Sequence, residues 1–256
     1  MISALPRTPS FRLDGKRALV VGASSGIGFA AAVALAEAGA AVSLAARQSP
    51  RLDEAVESII AAGFVADALS LDIMNVEDSS QAIAEAGPFD VLVNSAGLAI
   101  HGPALETKAT DFDTVFSINV RGAYFVAQAV ARGLIAAGRS GSLITVSSQM
   151  ARVGGVDRAV YSATKHAVEG FTKSMAIEWG QKGIRVNTVC PTFIRTPLTE
   201  QTFSNPERVK WISEKIKLGR VGEVEDIMAA VIYLSSDASA MVTGTSLLVD
   251  GGWTAE

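Results

Sequence analysis

Short apolar runs alternate along the chain with longer segments of helical length. The runs are RALVVG, AAVSLAA, FVADALSL, FDVLVN, GSLITVS, IRVNTVC and SLLVD, and each reads as a strand. Strands apolar on both faces and separated by helices imply a parallel sheet covered on each side. The pattern therefore predicts an α/β protein with a seven-stranded, doubly wound parallel sheet. No Pro/Gly/Ser linker, low-complexity tract or repeat divides residues 1–256, so one domain is expected. Sheets of this kind bind ligands beyond the carboxyl ends of their strands, which directs attention to the residues just after each run.

Two segments could mislead. Residues 29–46, FAAAVALAEAGAAVSLAA, resemble a membrane span, but Glu37 and Gly39 interrupt them. A helix stopping at Gly39 and followed by a buried strand explains the stretch better. Residues 1–13 carry Pro6 and Pro9 and lack the apolar core of a secretory signal, so they read as a loose tail.

Composition narrows the function classes. An apolar fraction of 49% with 19% charged residues fits a soluble globular chain. A net charge of −4 and the absence of basic runs argue against nucleic acid and anionic membranes as partners. The single cysteine, Cys190, excludes an intrachain disulfide and a cysteine-based zinc site, and no metal is expected. A cytoplasmic, reducing location fits. Cys190 itself reads as a reactive thiol or, better, as a small buried hydrophobe.

The first run is followed at once by VGASSGIG, with Gly22, Gly26 and Gly28 spaced G-x-x-x-G-x-G. Glycines allow a tight turn and let backbone N–H groups approach a pyrophosphate at a helix start, here near Ile27. The placement between strand and helix favours a dinucleotide site over an ordinary turn. At the end of the second run, where an NAD enzyme would carry a ribose-binding acid, the chain has Ala46 and then Arg47. A guanidinium suits a 2′-phosphate, so NADP(H) is expected over NAD(H); the alternative is a solvated surface arginine.

YSATK, residues 161–165, places a phenol and an ammonium at i and i+4. On a helix they share a face, and a nearby cation favours phenolate, which suits proton transfer. A packed ring beside a solvated charge is the bland alternative.

GASSGIG, NSAG at 94–97, Asn119 in SINV, SS at 147–148, YSATK and the terminal VTGTSLLVDGG together resemble the short-chain dehydrogenase/reductase family over essentially the whole chain. The resemblance implies a Rossmann fold and a tetrad of Asn119, Ser148, Tyr161 and Lys165. Ser148 is preferred to Ser147 because it lies thirteen residues before the tyrosine. It also implies cofactor contacts from Gly22, Ser24, Ser25, Gly26, Ile27 and Gly28, from Arg47, Asp72 and Ile73, from Asn94, Ala96 and Gly97, from Tyr161 and Lys165, and from Pro191, Ile194 and Thr196. In such a tetrad Ser148 binds the carbonyl oxygen, Tyr161 delivers the proton, Lys165 supports the phenol and the nicotinamide ribose, and Asn119 holds a water. Thr192 stands where the family commonly has glycine.

Further stretches, ARGLIAAG, VSSQ and residues 191–227, resemble members that reduce ketoses and α-dicarbonyl compounds with NADPH. Where those carry an Asn-His pair and a tryptophan, this chain has Asp157, Arg158 and Phe203. A small carbonyl or polyol of sugar size is the expected substrate, with residues 197–218 as a lid. Gln149, Asp157, Arg158, Phe203 and Asn205 are candidate substrate residues, and His101 reads as incidental. The alternatives are a 3-oxoacyl thioester reductase and a non-catalytic cofactor-binding sensor or structural subunit. The resemblance implies a homotetramer paired through the helices from about Asp111 and Tyr161 and through the C-terminal region. Phe112, Phe116, Tyr124 and Phe125 could serve that interface or the core.

Overall fold

The computed structural model describes residues 5–255; the first four residues of the expected tail, and Glu256, lie outside the described residues. Seven parallel strands form one sheet: β1 (Arg17–Val21), β2 (Ala41–Ala46), β3 (Ala66–Ser70), β4 (Val91–Asn94), β5 (Gly141–Val146), β6 (Ile184–Pro191) and β7 (Ser246–Val249). Their spatial order is β3-β2-β1-β4-β5-β6-β7, so the winding reverses between β1 and β4. That reversal opens a crevice at the strand ends, because the crossovers on either side of it run to opposite faces.

Successive side chains of each strand enter opposite cores. Ala18 and Val20 of β1 join a cluster with Leu35 of α1 (Gly26–Glu37), Leu52 of α2 (Pro50–Ala61) and Val231 of α9 (Glu225–Ser235). Leu19 and Val21 face the other way. They meet Ile83 of α3 (Val76–Ala86), Val130 of α5 (Ala123–Ala136) and Met175 of α6 (Ala159–Trp179). Between α3 and α5 lies α4 (Ala109–Phe116), and the lid region contributes α7 (Glu200–Phe203) and α8 (Pro206–Lys215). The chain thus has helices on both faces of the sheet, as the strand pattern implied.

Helix α1 has no apolar stripe, because Gly28, Ala30, Ala31, Ala32, Ala34, Leu35 and Ala36 are all buried. Small side chains let it sit between the sheet and α9, buried nearly all round. It stops where the sequence suggested. Gly39 adopts φ +107, and a methyl group there would collide with the Asp14 carboxylate.

Three local differences from the sequence reading have physical causes. Strand β3 is not apolar on both faces; it pairs with β2 alone, and Asp67, Ala68 and Ser70 are exposed, as an edge position permits. The expected tail is anchored before its end: Leu13 is buried and donates its N–H to Ala38 O at 2.8 Å, while Arg12 donates to Glu37 O at 2.9 Å. The helix expected from about Asp111 begins at Ala109 and passes through a π-helical turn, Ser117–Gly122, before continuing as α5. Of its aromatics, Phe112 and Tyr124 are exposed and Phe116 and Phe125 part-buried, so none is a core residue.

No helix among the described residues is long and apolar enough to cross a membrane.

The close approach of α1 to β1 generates a direct test. A methyl group on Gly28 would overlap the Gly22 carbonyl, whereas Gly180, after α6, has φ −55 and open space around it. Gly28→Ala is expected to cost about 3 kcal/mol or more, and Gly180→Ala to gain about 0.5 kcal/mol by stiffening the unfolded chain. Thermal melts of the two variants check the contrast.

Candidate active site

A cleft of about 690 Å³ opens over the carboxyl ends of the strands at the point where the winding reverses. Its floor is the turn between β1 and α1. Gly22 has φ +79, and a methyl group there would fall 2.7 Å from Ala96 N. Ser25 is the N-cap of α1, yet its side chain makes no capping hydrogen bond and the first turn holds no acid. The leading N–H groups of a twelve-residue helix are therefore left to a ligand at the end of the helix where positive potential is greatest. Ser24, Ser25, Gly26 and Ile27 line the cleft; Gly28 is packed beneath it against Gly22.

At the end of β2, Ala46 and Arg47 line the cleft, and Arg47 makes no ion pair among the described residues. The nearby carboxylate, Asp53, accepts both of its contacts from Gln48 at 3.1 Å. Asp72 is the one carboxylate in the lining, next to Ile73, and accepts from Met74 N at 3.0 Å. After β4, Asn94 is buried and its Oδ1 accepts from Ala96 N at 3.2 Å, which shapes the turn presenting Ala96 and Gly97 to the cleft.

Three residues of the expected tetrad, Ser148, Tyr161 and Lys165, line the cleft, and the fourth, Asn119, is buried beside Gly97 without lining it. Lys165 is buried, and its Nζ donates to Val146 O at 2.9 Å and lies 5.5 Å from the Tyr161 ring centroid. It has no carboxylate partner among the described residues, so its charge acts on the cleft. Ser148 follows β5; its Oγ accepts from Met150 N at 3.1 Å, which leaves its own O–H free to donate. Asn119 lies on the π turn, a local widening that often marks a functional position. Its side chain is 2% exposed and fully engaged: Oδ1 accepts from Leu98 N at 2.8 Å, and Nδ2 donates to Leu98 O at 2.8 Å and to Thr164 Oγ1 at 3.1 Å. Thr164 in turn donates to Tyr161 O at 2.7 Å. Asn119 is thus no surface amide, and both amide N–H groups are committed to protein.

Pro191, Ile194 and Thr196 line the far wall with Thr192. Thr196 and Thr199 form a reciprocal capping box that fixes the start of the expected lid, and Pro197, Leu198 and Thr199 reach the cleft. Beyond them α8 packs through Ile212 against Phe193, Phe203 and Trp253.

The candidate substrate residues separate. Gln149 is buried beside Ser148, with Oε1 unpartnered. Arg158 is 9% exposed and close to Tyr161 on α6. Asp157 is exposed at φ +60, where it turns the chain into α6. Phe203 lies under the Arg195 guanidinium, 4.8 Å away, and Asn205 caps α8 by accepting from Arg208 N at 3.1 Å. None of the five lines the cleft itself; Asp157 lines a smaller neighbouring pocket with His101.

Lining residues that the sequence did not mark include Leu98 and Ile118, while Ser147, Thr192 and Leu198 were noted only as neighbours of the motifs or as part of the lid. Leu98 and Ile118 are apolar neighbours of Gly97 and Asn119, and only that adjacency could have marked them. His101 was read as incidental, yet its Nε2 lies 2.7 Å from Arg158 Nη1 and its ring meets Tyr161 edge-on, centroids 6.2 Å apart. Cys190 is buried, and burial together with the Glu169 charge pushes its thiol up to about 11, far from reactive. Among the described residues no group of three or more His, Cys, Asp or Glu could hold a metal ion.

Comparison with known proteins agrees with this geometry. Residues 22–254 match the family model described as enoyl-(acyl carrier protein) reductase. The chain is 41% identical to L-xylulose reductase from Bos taurus over 95% of its own length and 98% of the relative's. It is 40% identical to D-erythrulose reductase from Gallus gallus, covering 96% and 98%. Among solved structures, gluconate 5-dehydrogenase from Burkholderia cenocepacia in complex with NADP and tartrate superposes with a TM-score of 0.93 at 36% identity, covering 96% of this chain and 98% of that one.

The setting of His101 predicts an unusual titration. Partial burial of the ring, then the Arg158 and Arg208 charges, hold its imidazole at about 4 instead of 6.5. The unfolded chain therefore takes up this proton first. Stability from His101 is full above pH 6.5 and is lost as pH falls through about 4. An NMR titration should place its midpoint near the lower value, and Arg158→Met should move it upward.

Proposed function

The chain belongs to the short-chain dehydrogenase/reductase family of oxidoreductases, and on that premise we propose that it is an NADP(H)-dependent enzyme interconverting a carbonyl and a secondary alcohol on a sugar-sized molecule. The observation that carries the proposal is the convergence of Ser148, Tyr161 and Lys165 on one wall of the cleft whose floor is the uncapped start of α1.

The residues present fit a phosphorylated dinucleotide. Gly22 and Gly28 keep the turn open to a pyrophosphate, Arg47 suits a 2′-phosphate where no acid competes, and the buried hydroxyl of Thr192 lacks a hydrogen-bond partner among the described residues. When bound, the nicotinamide supplies or accepts the hydride. Ser148 donates its free O–H to the substrate oxygen, and Tyr161 gives that oxygen its proton. Lys165, anchored on Val146 O, stabilises the negative charge left on the phenol. Asn119 positions the group by joining the Leu98 backbone to Thr164, and Thr164 holds the backbone of Tyr161. In oxidation the same groups act in reverse. Residues 197–218 would close over the substrate, since Pro197–Thr199 already forms part of the rim.

The carbohydrate reading rests on relatives that carry sugar names, L-xylulose and D-erythrulose reductase among them. A thioester reductase is the second reading, favoured by the description of the matching family model. The exposed aromatics Phe112 and Tyr124, together with Ile177 on α6, support self-association into a tetramer.

The decisive assay is NADPH and NADH oxidation with L-xylulose, other ketoses, diacetyl and an acetoacetyl thioester. Turnover of ketoses or diacetyl with NADPH supports the proposal; thioester turnover alone transfers the enzyme to the second reading. Tyr161→Phe should lower turnover by about 10²–10⁴-fold while NADPH binding changes little. Full activity in that variant would exclude Tyr161 as the acid. Arg47→Ala should reduce the NADPH preference by about 10-fold or more, and an unchanged ratio would remove Arg47 from the cofactor site.

A further inference from the structure

Arg158 is the N-cap residue of α6, three positions before Tyr161, and is 9% exposed. Its side chain and that of Met150 both lie against Gly155, where a methyl group would fall 3.0 Å from Arg158 Cδ and 3.1 Å from Met150 Sδ. The guanidinium lies 5.3 Å from the Phe193 ring centroid, and its Nη1 is 2.7 Å from His101 Nε2. The His101 loop is itself tied to the start of α6 by Gly102 N donating to Asp157 O at 3.1 Å. This is a built position and not a side chain left in solvent.

What the position lacks is a counter-charge. Among the described residues no carboxylate lies within ion-pair distance of Arg158. The partner provided is an imidazole held neutral, as its lowered proton affinity requires, so it accepts one N–H and cancels none of the charge. Burial is the main cause of the lowered proton affinity of both His101 and Arg158. A second cation, Arg208 of α8, adds to it, and Tyr161 at Arg158 and the exposed Asp157 at both offset this in part. A desolvated guanidinium with free N–H groups is costly unless an anion completes it. Gln149, adjacent to Ser148 in the chain, also has a buried Oε1 without a hydrogen-bond partner among the described residues.

Building on the carbonyl-reductase reading above, we propose that Arg158, backed by His101 and Phe193 and faced by Arg208, is an anion subsite, so that the preferred substrate carries a carboxylate or phosphate besides the reacting carbonyl. Both anions offer oxygens suited to the guanidinium fork. Arg158 is then a specificity-determining residue, separate from the groups that move the proton.

The test compares 5-keto-D-gluconate, D-fructose 6-phosphate and D-fructose as substrates with NADPH, in the wild-type enzyme and in Arg158→Met and Arg158→Lys. The wild type should prefer one of the anions to fructose by at least tenfold in kcat/KM, mainly through KM. The two anionic arms distinguish carboxylate from phosphate. Arg158→Met should lose most of that preference, and Arg158→Lys should recover part of it. Equal or better use of fructose by the wild type, or an anion preference intact in Arg158→Met, overturns the proposal. Should Arg158→Met fail to fold, the wild type still decides. Calorimetry on the NADP-loaded enzyme should detect D-gluconate or D-glucose 6-phosphate at concentrations where sorbitol is silent, and salt should weaken that binding. Anion binding without any turnover would sink the reductase reading and leave the subsite standing. Turnover of neutral ketoses with no anion binding would do the reverse.

Discussion

The site depends first on how near helix α1 comes to the ends of β1 and β4. Gly22 meets the backbone of Ala96, and Gly28 rests on the Gly22 carbonyl; no side chain fits at either point. This close approach leaves the first N–H groups of α1 uncapped at the reversal of the sheet. It also brings the strand β4 turn, with Gly97, against Asn119 and Lys165, since a methyl on Gly97 would stand 3.5 Å from Asn119 Oδ1 and 3.9 Å from Lys165 Nζ. The phosphate-binding end and the proton-moving end of the proposed site are therefore two consequences of one packing arrangement.

A single helix organises the other wall. Arg158, Tyr161, Lys165 and Glu169 follow one another at three- and four-residue spacing along α6, so all lie toward one side of it. At the bottom of that column the buried Glu169 accepts from Thr188 Oγ1 at 2.9 Å, from Cys190 Sγ at 3.4 Å and from Ser246 Oγ. These bonds tie α6 to β6 and β7. Above them Lys165 bonds to the last residue of β5. The helix bearing the phenol is thus tied to three strands by polar groups buried from water, which makes it a rigid base for chemistry.

The lid side is built differently. Its core is a small cluster of Ile212, Ile216 and Val221 with Phe193, Phe203 and Trp253, detached from the two main cores. A small separate cluster lets this region vary without disturbing the sheet, and it is here, at Phe203, and at Asp157 and Arg158 that the sequence departs from the pattern of the members it resembles. Conserving the sheet while varying this rim is how one fold serves many substrates.

The sheet, its seven strands and the phosphate turn were legible in the sequence because each rests on a local rule: apolar runs, glycine at positive φ, and a helix start after a strand. The spacing of Tyr161 and Lys165 was legible for the same reason, since both lie on one helix. The exposure of β3, the anchoring of Leu13, the engagement of Asn119 with Leu98 and Thr164, and the capping role of Asn205 were not. Each depends on which distant segment packs against the residue. His101 shows the difference most clearly: alone in sequence it has no partner, and folding sets it 2.7 Å from a buried arginine 57 positions away. By itself, then, the sequence determined the architecture and the glycine turn after the first strand, because periodicity and backbone geometry act between near neighbours, while the reacting groups were proposed from the family resemblance. Tertiary structure alone decided which charges are left without partners, because that is a sum over contacts between residues far apart along the chain.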